Sequence, residues 1–299
     1  LLRDIYQEPW WYTLLVVGLG ILLANQTNLR RRLGEVSTRA SKNTCTQFSY
    51  TVRGILLTFL ISSPLPLALL FFFWRLTVRS QLEYTIGADL QFVQAVSSSL
   101  LLTVSVFLPA ELLRQLCRSN GLGIKHFGWP ESESKSLGNN LRWLINSTVP
   151  LIAVFGMLNY QADARWESSL GRVVFICLMP LIAISLYRIF HPQTGIFSDF
   201  LRSNNGGWLD RTSLVWFLAI VLSPILIAFT SYVGYHYTAV RIAGHFASTM
   251  WMIVALTLGY CVLTRWILLN RRRLVRQQAR QRLEDAAKRD SGTAAPPVD

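Results

Sequence analysis

Residues 108–131 read LPAELLRQLCRSNGLGIKHFGWPE. They close a long apolar segment, turn polar and basic at Arg114, Arg118, Lys125 and His126, and then break on Gly121, Gly123, Gly128 and Pro130. A helix leaving a bilayer has this pattern, because ionisable side chains are tolerated only where headgroups and water begin. One face of a membrane therefore lies at this stretch, and the rest of the chain can be laid out from it.

Seven apolar segments are long enough to span, near Trp10–Gln26, Gly54–Leu76, Leu90–Leu113, Trp143–Tyr160, Val173–Ile189, Ser213–Tyr235 and Ala243–Leu269, against the roughly 20 residues a helix needs. No alternating pattern with barrel turns accompanies them, so only helices can satisfy the backbone. The expected fold is all-α, a polytopic integral membrane domain of about seven transmembrane helices arranged largely as antiparallel hairpins. Residues 1–9 form an extracytoplasmic lead-in, 10–269 the seven-helix domain, and 270–299 a basic cytoplasmic helix that ends in a disordered tail after Ser291. Short connections after helices two, four and six pair two with three, four with five, and six with seven. The chain opens at Leu1 close to its first segment and reads as a fragment of something longer.

Composition excludes the soluble classes. Hydrophobic residues make up 52% of the chain and charged residues only 15%, which is unusual for a soluble domain of this length. A net charge of +13 in a soluble chain would point to nucleic acid. Here the basic residues cluster between apolar segments, so no nucleic-acid partner is expected and the charge sets topology instead. Loops after helices one, three, five and seven carry 23 of the 29 lysines and arginines, and the opposite connections carry 6. By the positive-inside rule the N-terminus is outside and the C-terminus cytoplasmic. Arg30, Arg31 and Arg32, with Arg271, Arg272, Arg273 and Arg276, are candidates for anchoring to the anionic lipid of the inner leaflet, each contributing about 1 kcal/mol.

The search for chemistry returns little. The middle thirds of all seven segments hold no Asp, Glu, Lys, Arg or His, whereas ion-coupled transporters keep such groups near the midplane. Glu111 reads as half of an interfacial ion pair with Arg114 or Arg118. The four cysteines suggest neither a disulfide nor a C-x-x-C metal site, and no two histidines stand at metal-ligand spacing on one helix. Phosphate loops, dinucleotide fingerprints and nucleophile elbows are missing. No catalytic residue, cofactor or metal is expected, and the chain reads as no enzyme. Pro64, Pro66, Pro150, Pro180 and Pro224 lie inside apolar segments as candidate helix kinks, because proline has no N–H and its ring clashes with the carbonyl four residues back. Ser62, Ser63, Thr148 and Ser223 sit beside them to bond carbonyls so released. Static kinks for packing are the simpler reading than hinges that flex.

Taken together, Pro9-Trp10-Trp11, Leu116-Cys117-Arg118, Asn120-Gly121-Leu122, His126-Phe127-Gly128-Trp129-Pro130-Glu131 and Arg142-Trp143 resemble the inner-membrane domain of large MscS-superfamily mechanosensitive channels of the MscK (KefA) type. The resemblance runs from Pro9 to the Arg271-Arg272-Arg273 tail. It implies a bacterial inner membrane with a periplasmic N-terminus, a large periplasmic region before this domain, and a pore helix and cytoplasmic vestibule after it. It further implies a role in osmotic stress and homo-oligomerisation through that pore region. Neither a Gly/Ala-rich pore helix nor a soluble β domain lies in this sequence, so the family's ion-pathway residues map to no position here. The implied function is a peripheral domain that senses bilayer tension or transmits it to a pore elsewhere. A membrane transporter or lipid-processing enzyme, and a passive membrane scaffold, remain as alternatives.

Overall fold

A computed structural model describes residues 6–41, 47–82, 88–119, 121–161, 167–191 and 212–293. Among them are ten α-helices, one π-helical turn and no strand. In chain order they are α1 (Pro9–Ala24), α2 (Gln26–Ser41), α3 (Ser49–Ser62), α4 (Pro64–Leu82), α5 (Ala88–Leu116), the single turn α6 (Leu122–Lys125), α7 (Glu131–Asn159), the π-turn Glu167–Gly171, α8 (Arg172–Phe190), α9 (Ser213–Val233) and α10 (His236–Thr293). Five of them are long and apolar enough to cross a membrane unaided, and two bent pairs bring the number to seven if each pair is one span.

The second pair departs from the straight segment expected over Gly54–Leu76, and the first adds a helix, α2, where a polar loop is expected after Trp10–Gln26. At Asn25 the chain bends 48° between α1 and α2, and at Ser63 it bends 62° between α3 and α4. Pro64 and Pro66 therefore open a new helix rather than kink an existing one, which suits a residue whose missing N–H costs nothing in a first turn. Ser63 Oγ donates to Leu60 O at 3.0 Å, the carbonyl that Pro64 leaves free four residues back. The same device recurs at Pro224, where Ser223 Oγ donates to Ile220 O at 2.9 Å. Pro150, Pro180 and Pro224 sit inside continuous helices, as does Pro109 in α5.

From α4 onward, each long helix packs on the long helix before it and the one after it. The expected pairs of α4 with α5, α7 with α8, and α9 with α10 are present, but the tightest packing joins α5 to α7 across residues 117–130. Small side chains permit it, as they do wherever no water drives membrane helices together. Ser99 Oγ on α5 donates to Ala153 O on α7 at 2.5 Å. A Cβ added to Gly156 would stand 3.0 Å from Ser99 Cα. Beside this seam, Phe155, Phe175, Leu178, Met179 and Ile227 form the main apolar core. Buried fraction falls along the row, from 39% in the α5 window to 22% in α9 and 6% in α10. The outward faces carry large apolar residues such as Val215, Trp216, Leu226, Phe229, Leu256 and Tyr260, an arrangement suited to hydrocarbon.

Helix α10 does not stop where the hydrophobic sequence does. It begins against the main core with Ala239 fully buried, after a turn at Gly234 whose φ of +122° an L side chain would strain. Further on, Trp251 packs on Phe107, Ala110 and Ile145 of α5 and α7, and the helix continues unbroken through the basic run to Thr293. Residues 294–299, in the tail expected after Ser291, lie outside the described part. Residues 1–5 of the expected lead-in are outside it as well.

If the α5–α7 seam holds the row together, Gly156→Val lowers stability by about 1–3 kcal/mol through overpacking. Gly18→Val, where nothing lies within 4 Å, leaves it unchanged. Thermal unfolding in detergent micelles checks the pair, and equal melting temperatures for both variants would contradict it.

Candidate functional site: the elbow at the basic end

The stretch that leaves α5 folds into a packed elbow. Glu111, buried near the end of α5, accepts two hydrogen bonds from Arg114, Nε to Oε2 at 2.7 Å and a terminal nitrogen to Oε1 at 2.5 Å. Gln115 Nε2 donates to Oε1 at 2.7 Å. Of the two ion-pair partners expected for Glu111, Arg114 is the one it takes. Arg118 is exposed, and its pKa is lowered by partial burial and then by the neighbouring Arg30 and Arg114. Cys117 turns inward, and burial pushes its thiol up to about 12, so it packs as a small apolar group and holds little reactive thiolate. Cys117, Cys177 and Cys261 are all free thiols; Cys45 falls outside the described residues.

After Gly121 the single turn α6 drives Leu122, fully buried, into a notch on α3. The notch exists because residue 54 is glycine: a Cβ there would stand 2.7 Å from Leu122 Cδ2. Gly123 packs as closely on the Trp129 ring, and Trp129 N donates to Gly123 O at 3.0 Å, so α7 starts from a fixed point. His126 is buried, with Nδ1 3.4 Å from Thr51 Oγ1 at the start of α3. Its pKa is pushed down to about 4 by burial and, second, by the charge of Arg265. The neutral imidazole is therefore the form present at neutral pH.

Arg265 brings α10 to the same place. A terminal nitrogen of its guanidinium donates to Ala40 O, in the last turn of α2, at 2.5 Å. Such a bond satisfies a carbonyl that the helix end would otherwise leave without a partner. Ala40 and Leu269 are both buried at this end. The ends of α2 and α5, the start of α3, the elbow and α10 thus converge on one cluster of contacts. On the neighbouring helices the Arg188 guanidinium lies 4.8 Å from the Trp143 ring centroid, a cation–π contact at the rim of the array.

The residues singled out from sequence are not brought into one pocket. Arg30, Arg31 and Arg32 are exposed on α2, with Arg30 bonded to Gln26 and Arg31 to Glu35. Arg271, Arg272, Arg273 and Arg276 are exposed on α10 beyond Leu269. Thr51, Gly54 and Arg265, which hold the elbow, were not among them. A small-residue spacing of Thr51, Gly54 and Thr58 along one helical face was the available signal for the first two. At the opposite end of α1 and α4, Arg75 is buried and bonds Glu8 at 2.8 Å. Trp11 packs edge-on to Trp74 and Tyr12 to Phe71, and Arg79 bonds Gln7. Among the described residues no cluster of His, Cys, Asp and Glu could hold a metal ion.

Residues 9–298 match the family described as mechanosensitive ion channel inner membrane domain 1. The chain is 26% identical over 277 residues to the miniconductance mechanosensitive channel MscM of Escherichia coli (strain K12), an alignment covering 92% of this chain and 24% of the relative. It is 22% identical over 192 residues to mechanosensitive channel MscK of the same strain, covering 61% of this chain and 15% of the relative. The chain spans about a quarter or less of the length of these curated relatives. No solved structure matches it.

The buried neutral His126 sets a pH dependence with a definite sign. An unfolded chain takes up a proton near 6.5 and the folded elbow only near 4, so between these values the unfolded state binds more protons and stability falls as pH falls. His126→Gln removes that part of the slope. Thermal unfolding of both proteins at pH 7.5 and pH 5 measures it, and identical pH slopes would contradict the assignment.

Proposed function

This chain belongs to the family of the mechanosensitive ion channel inner membrane domain, and from that premise we propose that it is the peripheral, lipid-facing part of a mechanosensitive channel. It senses bilayer tension, or transmits it, to a pore formed outside these 299 residues. The chain is a multi-pass membrane protein, and in this reading it lies in a bacterial inner membrane with its N-terminus periplasmic and its C-terminus cytoplasmic. It assembles as a homo-oligomer through the pore region, and it carries out no catalysis.

One observation carries the proposal: α10 touches the α7–α9 core at Ala239, the α5–α7 pair at Trp251 and the end of α2 at Arg265, then continues as helix into the basic tail. A row of hairpins with little buried surface presents a large area to lipid, and tension favours whichever state occupies more membrane area. A continuous helix that leans on each part of that row sums their displacements into one movement. The 23 to 6 asymmetry of basic residues supports the orientation, and Arg271, Arg272, Arg273 and Arg276 anchor the emerging helix to anionic lipid.

Replacing Arg271, Arg272, Arg273 and Arg276 together with glutamine in the full-length channel is expected to shift the pressure needed for opening and to leave conductance unchanged. Patch-clamp recording of a correctly inserted variant reads both. An unchanged threshold with unchanged dependence on anionic lipid would reduce these residues to a topology signal.

A further inference from the structure

Helices α2 and α3 are antiparallel neighbours with opposite outward chemistry. Helix α3 turns Thr51, Gly54, Thr58, Ile61 and Ser62 inward and leaves Val52, Ile55, Leu56, Phe59 and Leu60 exposed, with Arg53 also exposed near its start. Helix α2 does the reverse, burying Leu29, Leu33, Ser37 and Ala40 and exposing Arg30, Arg31, Arg32, Glu35 and Arg39. One outward face needs hydrocarbon and the other needs water or headgroups.

The register of the pair makes these demands incompatible with two upright helices. Leu29 and Leu33 pack on Ile61 and Leu57, so the arginine triplet stands level with the far end of α3. With Ser49 at the membrane surface and α3 upright, Ile61 would lie about 18 Å deep, past the middle of a hydrocarbon core of about 30 Å, and the three arginines would be there with it. Charged side chains at that depth are rare and costly. The bends at Asn25 and Ser63, at corresponding levels of the two strands of this hairpin, remove the conflict. With α4 along the membrane normal, a 62° tilt leaves Ile61 only about 8 Å deep. Stacking α2 on the water side at an interaxial distance of about 8–10 Å then returns the arginines to headgroup level.

We propose that α2 and α3 form an oblique hairpin wedged into one membrane surface. Val52, Ile55, Leu56, Phe59 and Leu60 face the acyl chains, and Arg30, Arg31 and Arg32 bind the phosphates of anionic lipid headgroups. The proposal rests on the chain being a membrane domain and sharpens the anchoring role of the triplet. It holds whether or not the domain senses tension.

The test places nitroxide labels, one at a time, at Val52→Cys, Leu60→Cys and Arg31→Cys in the full-length protein with its native cysteines replaced by alanine. The protein is reconstituted in liposomes of phosphatidylethanolamine and phosphatidylglycerol, and depth is read from collisions with oxygen and with a nickel chelate. Positions 52 and 60 are about 12 Å apart along the helix axis, so the oblique hairpin gives a depth difference of about 6 Å and an upright helix about 11–12 Å. A difference of 11 Å or more, or a label at position 31 in the hydrocarbon, would overturn the geometry. A second measurement needs no protein label: association of spin-labelled phosphatidylglycerol relative to phosphatidylcholine. Its preference is expected to fall at least about twofold in the triple variant Arg30→Gln, Arg31→Gln, Arg32→Gln, and an unchanged preference would remove the headgroup site.

Discussion

A charged side chain is costly in hydrocarbon, and the course of this chain follows from where its arginines can stand. Arg75, buried toward the far end of α4, is held by Glu8 and lies 5.6 Å from the Trp74 ring centroid and 5.7 Å from that of Tyr12. Arg114 is closed by Glu111, and Arg265 caps the last turn of α2. Between these levels the packed seam uses hydroxyl, glycine and apolar side chains, and the hydroxyls of Thr58, Ser99 and Thr103 bond carbonyls of their own helix or the next one. In a medium that offers no water, this is the way small polar groups can sit in the packed seam while large apolar ones face outward.

The elbow converts this arrangement into a connection between distant parts of the sequence. Leu122 in the Gly54 notch fixes α6 to α3, Glu111 and Gln115 stiffen the end of α5, and Arg265 binds α10 to α2. Any change in the tilt of α2 and α3 must either carry α10 with it or break the Arg265–Ala40 bond. Two packings of such a junction, rather than a continuous deformation, are what close-packed interiors permit.

Much of the fold was legible in the sequence because hydrophobic length is a strong signal. The unbroken spans α5, α7, α8 and α9 lie where hydropathy put them. The break at Ser63 was half legible, since the Pro64-x-Pro66 pair announced a disturbance but not whether it was a kink or a new helix. The bend at Asn25 was not legible: that residue keeps helical dihedrals, φ −88° and ψ 0°, and no glycine or proline marks it. Helix α2 lies in what reads as a polar loop after the first span, although Leu29, Leu33, Ser37 and Ala40 recur at helical spacing as a buried stripe. The elbow itself depends on contacts across 75 residues for Thr51 with His126 and 225 for Arg265 with Ala40, which no local pattern encodes.

In the proposed function, membrane tension moves the helix array and α10 carries the movement onward. The most direct measurement is the distance between spin labels on Leu65 of α4 and Ile267 of α10, both exposed, in the full-length protein in liposomes, before and after lysolipid is added to one leaflet. The account predicts that the distance distribution shifts under the lipid conditions that open the channel. A distribution that stays the same while the channel opens would contradict it.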